Sequence, residues 1–125
     1  MITIENIMSK PILLVSGDAT VDEVVKIMTE KGIGSVLIGK NMDAEGIITE
    51  KDLISKVLYK GLDIAKTKTR DIMSSPLLQM DKHSPVNEAA LKMSNSNVEH
   101  IVVTDEEGMV GLVSARDIAY FASAT

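Results

Sequence analysis

The sequence has no cysteine and no tryptophan, and its aromatic side chains are Tyr59, Tyr120 and Phe121 alone. Without cysteine there is neither a disulfide framework nor a thiolate metal site. With so few rings the core has to be aliphatic, and eight methionines are available as adaptable filler. Basic stripes are also missing. The formal net charge is −5, and phosphate neutralisation, the main source of nucleic-acid affinity, has no surface to work from. The densest basic stretch, Lys66-Thr-Lys68-Thr-Arg70, runs straight into Asp71 and reads as a solvated connector. No apolar run approaches the roughly 18 residues that span a bilayer. Met1-Ile-Thr-Ile-Glu5 lacks the basic segment and apolar stretch of a secretory signal, so a cytoplasmic location is expected. Over 125 residues, 45% hydrophobic and 25% charged composition is that of a soluble globular domain.

What is present is a duplication. Shifted by 65 positions without a gap, the chain falls on itself: Ile7-Met8-Ser9-x-Pro11 meets Ile72-Met73-Ser74-x-Pro76, Val21 meets Val86, and Met28 meets Met93. Gly46, Thr49, Lys51 and Asp52 meet Gly111, Ser114, Arg116 and Asp117. Repeats at a fixed offset mean one supersecondary unit used again. Two copies are too few for an open solenoid, so they are expected to pack as a pseudo-twofold pair.

Each copy reads in the same order. A short apolar run, Ile12–Val15 or Leu77–Met80, predicts a strand. Thr20-Val-Asp-Glu23 has capping-box spacing and Ser84-Pro85 sets a cap before a first-turn proline, so a helix follows in each copy. Val21, Val24, Val25 and Met28, like Val86, Ala89, Ala90 and Met93, give it one buried face. β-Branched runs, Ser35–Ile38 and Ile101–Thr104, each meet a tight acidic turn and then a second short strand, Gly46–Ile48 or Gly111–Val113. A second helix closes the copy, with Leu53, Ile54, Val57 and Leu58 as its apolar stripe, matched by Ile118, Ala119 and Ala122. The fold class is α/β, two β-α-β-β-α repeats, with repeat 1 at residues 1–61, a connector at 62–71 and repeat 2 at 72–125.

Gly46-Ile-Ile-Thr49-Glu-Lys51-Asp52 and Gly111-Leu-Val-Ser114-Ala-Arg116-Asp117 each put a hydroxyl, a cation and a carboxylate where strand turns into helix. A Ser or Thr followed three residues later by an acid is a capping-box pattern, a purely structural use. The same geometry suits a ligand: a helix N-terminus attracts phosphate, the hydroxyl and cation add donors, and a carboxylate can accept from a vicinal diol. Spacing leaves both uses open. His83 in Asp81-x-His83 is read as a turn residue, since no third ligand accompanies it, and no metal site is expected.

These motifs, in this order, resemble a pair of cystathionine β-synthase (CBS) domains, often called a Bateman module, over nearly the whole chain. The resemblance implies binding of an adenosyl ligand (AMP, ADP, ATP or S-adenosylmethionine) in two clefts, as a regulatory ligand and not a catalytic cofactor. It implies ribose on Asp117 and Asp52, and phosphate on Ser114, Arg116 and His100 or on Thr49 and Lys51. It implies adenine against Met8, Leu13, Ile33, Gly34 and Ser35 for the Asp117 cleft, and against Met73, Leu78, Val98, Glu99 and His100 for the Asp52 cleft. The Asp117 cleft is expected to be the tighter, because Ser35 replaces a second cation and Glu99 repels phosphate in the other. A homodimer is implied, with output through a partner enzyme or transporter or through the oligomer. Two rivals stand beside this: an enzyme, disfavoured by the absence of any nucleophile–base pairing, and a ligand-free structural or dimerisation module.

Overall fold

A computed structural model describes residues 1–10 and 13–124. Pro11 of the opening motif and Ile12 of the first expected strand lie outside the described residues. The chain divides into two compact units: a central one, Leu13–Pro76, and a terminal one made of Met1–Ile12 with Leu77–Thr125.

The central unit is built from β1 (Leu14–Val15), α1 (Val21–Lys31), β2 (Ser35–Lys40), β3 (Asp43–Thr49) and α2 (Glu50–Asp52), which runs on as a π-helical segment, Leu53–Leu58. In the terminal unit β4 (Gln79–Asp81), α3 (Val86–Ser96), β5 (His100–Asp105), β6 (Gly108–Ser114) and α4 (Ala115–Ala124) repeat the order. Each unit holds one three-stranded sheet, β1-β2-β3 or β4-β5-β6, with a parallel first pair and an antiparallel second pair. The β2–β3 turn places Asn41 and Met42 at positive φ, the backbone that tight hairpins need, and Gly108 does this in the other copy. The expected strand order and mixed α/β class are therefore present twice.

The compact units are not the sequence repeats taken end to end. Residues 1–10 pack in the unit of the second repeat, where Ile4 is fully buried among Ala89, Met93, Ile101, Val103 and Val113. The end of the connector and the opening of the second repeat do the same for the first, with Ile72 buried among Val24, Ile38 and Ile48. The reason is partly backbone accounting. Helix starts leave orphan N–H groups, and here carbonyls of these segments take them: Val21 N donates to Thr67 O at 2.9 Å, Asp22 N to Ile64 O at 3.1 Å and Val86 N to Ile2 O at 3.3 Å.

Three expectations are corrected. Thr20 makes no side-chain cap, because its hydroxyl turns to Asp22 while the connector carbonyls serve the helix; and both helices start at equivalent positions, with Pro85 itself at the N-cap. The connector is not solvated throughout: Thr69 is fully buried and its hydroxyl donates to Ser16 O at 2.7 Å, while Lys68 and Arg70 pair with Asp18. The second-helix stripes are only half used. Val57 is buried, but Ile54 and Leu58 are 62% and 76% exposed, and α4 buries nothing fully. Helical spacing predicts one apolar side but not that a sheet lies against all of it.

Truncation of a fully buried isoleucine costs about 2–5 kcal/mol. Ile4→Ala is therefore expected to lower the urea-denaturation free energy by that amount. An unchanged transition would show that the opening segment is not part of the terminal core.

Candidate functional site

Both Gly-apolar-apolar-Ser/Thr-x-x-Asp turns fold alike at the backbone. β3 and β6 end in extended Thr49 and Ser114, and the helix begins on the next residue. Its first N–H is already spoken for: Glu50 N donates to Gly34 O at 3.1 Å and Ala115 N to Glu99 O at 2.8 Å. The third donates back to the hydroxyl, Asp52 N to Thr49 Oγ1 at 3.3 Å and Asp117 N to Ser114 Oγ at 3.1 Å. In return Asp52 Oδ2 accepts from Thr49 N at 2.9 Å, and Asp117 Oδ2 accepts from Ser114 N at 2.8 Å. The capping box is thus formed in both copies, and it uses one carboxylate oxygen of each aspartate.

The opening segments set the floor. Ser9 and Ser74 exchange backbone hydrogen bonds with Leu112 and Ile47, which lays Met8 over Gly111 and Met73 over Gly46. A Cβ on Gly111 would stand 2.2 Å from the Met8 sulfur, and one on Gly46 2.5 Å from that of Met73. Each glycine is needed for this close approach.

The other carboxylate oxygen separates the two copies. Asp52 is buried, and its Oδ1 accepts from Lys56 Nζ at 3.0 Å and Ser74 Oγ at 2.9 Å, while Thr49 Oγ1 adds a second donor to Oδ2 at 3.1 Å. Burial pushes this carboxyl up, but the hydrogen bonds from the Thr49 N–H, Lys56 and Ser74 together outweigh it and hold it below its ordinary value of 3.8. Asp117 is half-buried, and neither its Oδ1 nor the Ser114 hydroxyl proton has a partner among the described residues. Arg116 and Lys51 are exposed and belong to none of the ion pairs among the described residues.

Sheet register brings His100 directly opposite Ser114, and Ser35 opposite Thr49. Opposed residues share a face at about 5 Å, so an imidazole flanks one helix start and a hydroxyl the other. The Glu50 carboxylate lies against Gly34, whereas Ala115 holds the matching place in the terminal unit. Exposed Ile33 and Gly34 enter β2, half-buried Val98 and exposed Glu99 enter β5, and Leu78 is half-buried. Leu13 is 40% exposed. Leu13, Ile33, Gly34 and Ser35 belong to the central unit and Asp117 to the terminal one. A groove of about 770 Å³ borders Asp117, lined also by Asn6, Ile7, Arg116, Tyr120 and Phe121. His83 lies 75% exposed in its turn, its ring nitrogen 3.0 Å from Asp81. Among the described residues no group of His, Asp and Glu could hold a metal ion, and no helix is long and apolar enough to cross a membrane.

Sequence reasoning missed Lys56 and Ser74 as partners of Asp52. The available signal was a mismatch between the copies: position 56 aligns with Phe121, so the lysine has no counterpart.

A doubled β-α-β-β-α unit, each copy closing on a capped aspartate, defines a tandem small-module α/β protein. The chain belongs to the CBS domain family, whose sequence model matches residues 4–59 and 70–124. It is 33% identical over 119 residues to an uncharacterized protein of Methanopyrus kandleri, covering 94% of this chain and 61% of that relative. A CBS-domain protein of Burkholderia ambifaria superimposes with a TM-score of 0.88 at 28% identity, covering 98% and 95% of the two chains. The CBS domain pair of another protein, solved with 5′-methylthioadenosine and S-adenosyl-L-methionine, gives a TM-score of 0.85 at 27% identity, with 98% and 97% coverage.

Asp52→Ala is expected to cost about 1.5–3 kcal/mol, toward the lower end because Lys56 is partly exposed, and Asp117→Ala about 1 kcal/mol or less, one hydrogen bond's net worth. Because the folded Asp52 is more acidic than the unfolded one, its stabilisation is complete above 3.8 and is lost as pH falls below that value. Chemical denaturation of Asp52→Asn should therefore show a shallower loss of stability in that acid window than wild type. Equal slopes would remove the buried ion pair from the account.

Proposed function

We propose that this chain is a regulatory module that binds an adenosyl ligand, AMP, ADP, ATP or S-adenosylmethionine, with Asp117 as its main anchor. The observation that carries the reading is the uncommitted half of the second capping box. Among the described residues Asp117 Oδ1 is left to accept from a ribose diol, and the Ser114 hydroxyl and Arg116 are left to meet phosphate; the groove that Asp117 and Arg116 line includes none of the other expected contacts. His100 lies across from Ser114 in the sheet, and Met8 on Gly111 offers an apolar surface for the base. The related domain pair solved with two adenosyl compounds supports this ligand class. Leu13, Ile33, Gly34 and Ser35 complete the adenine contacts in this reading; Thr49, Lys51, Asp52, Met73, Leu78, Val98 and Glu99 form the weaker second set.

No covalent step is needed. The ligand stabilises the conformation that binds it, and the difference in free energy is read by a partner protein or by the oligomer. The exposed apolar side chains Ile54, Leu58 and Tyr59 favour self-association. A second reading, a dimerisation module without ligand, is favoured at one place: the Asp52 carboxylate is already satisfied.

A thermal-shift screen of AMP, ADP, ATP, NADH and S-adenosylmethionine separates the readings. A true ligand at 100 times its Kd adds about 2.7 kcal/mol of stability. Asp117→Ala should then weaken binding about ten- to a hundredfold, the worth of charge-assisted hydrogen bonds to a diol. No response to any of these compounds would leave the scaffold reading.

A further inference from the structure

The two copies match at the backbone of their helix starts, yet one aspartate is closed and the other open. The cause lies one turn into the helix. Lys56 Nζ sits 3.0 Å from Asp52 Oδ1, 3.0 Å from Ile72 O and 3.1 Å from Ser74 Oγ. Shifting by 65 gives Asp117, Ile7, Ser9 and, in place of the lysine, Phe121. Phe121 lines the groove with Ile7 and Asp117 and has no charge to offer the carboxylate. Ser9 has no side-chain bond to Asp117 among the described residues, although Ser74 bonds Asp52 at 2.9 Å. The ammonium is thus what gathers serine and aspartate in the central unit. An i, i+4 Asp–Lys pair is ordinarily a weak surface contact, but here the carboxylate is only 6% exposed, and opening it would strand a buried charge.

Resting on the adenosyl-binding reading, we infer that Lys56 is an internal occupant of the first motif, filling the acceptor positions a ribose would use, and that the chain therefore binds one ligand, at Asp117. Lys56 and Phe121 are the residues that set which motif is open. A ligand at Asp52 would have to displace a cation held by three oxygen acceptors, whereas Asp117 Oδ1 has no side chain bonded to it among the described residues.

A reciprocal exchange tests this. Titration calorimetry with the adenosyl compound that the wild-type chain binds should give one ligand per chain, abolished or strongly weakened by Asp117→Ala. Phe121→Lys places an ammonium four residues after Asp117, as Lys56 follows Asp52, and should weaken binding about ten- to a hundredfold, by analogy with the worth of a charge-assisted contact. For AMP or ATP that loss runs against the attraction an added lysine exerts on phosphate. Phe121→Met, which alters shape without bringing charge, should lose far less. Should Phe121→Lys not fold, Lys56→Met carries the test: freeing Asp52 Oδ1 raises the stoichiometry from one to two. The inference is overturned by two ligands per wild-type chain, by unchanged or tighter binding to folded Phe121→Lys, or by a stoichiometry of one in Lys56→Met. Each leaves the adenosyl-binding reading standing. A wild-type chain that binds none of the compounds overturns both.

Discussion

A carboxylate placed three residues past a strand's last hydroxyl has two oxygens, and the helix start takes one of them. In both copies that oxygen closes a capping box with the backbone of Thr49 or Ser114. What the motif can do besides start a helix depends on the oxygen that remains. Where an ammonium and a serine converge on it, burial and hydrogen bonding produce a closed, acidic, structural carboxylate. Where they do not, one carboxylate oxygen has no partner among the described residues, and its aspartate lines a groove with a guanidinium. One backbone geometry therefore carries a fully bonded carboxylate in one copy and, among the described residues, a half-bonded one in the other, and the copies differ one helical turn later, lysine against phenylalanine.

The exchange of opening segments ties these turns into the two cores. Residues 1–10 and the stretch around 64–74 present carbonyls that accept from orphan helix N–H groups, and lay a methionine on the motif glycine. Ile4 and Ile72 anchor the segments in fully aliphatic cores. With so few aromatics, packing has to come from aliphatic side chains buried in consecutive runs, Val36-Leu-Ile38 in β2 and Ile101-Val-Val103 in β5, with methionine filling what remains.

Much of this was legible beforehand. The offset of 65 revealed the duplication, and β-branched runs around acidic turns located the hairpins, because both signals are local. That His100 and Ser35 lie opposite Ser114 and Thr49 was not legible, because a register shift in each hairpin, at Ile38/Gly39 and Val103/Thr104, separates these pairs from the turn. Other features were not local. Exposure of Ile54 and Leu58 depends on which elements lie over the helix, and periodicity alone carries no such information. The Lys56–Asp52–Ser74 cluster joins residues 22 positions apart through a segment that reads as a connector. Its trace in the sequence is a difference between copies, lysine against phenylalanine, within a motif that otherwise agrees. Membership in the CBS domain family supplies the fold and leaves this asymmetry to the individual chain.

The most direct measurement is a crystal structure of the chain grown with a saturating adenosyl compound. The account predicts ribose hydroxyls on Asp117 Oδ1, with Lys56 still seated on Asp52. Ribose density on Asp52 with Lys56 swung away, while Asp117 keeps only its helix cap, would contradict it.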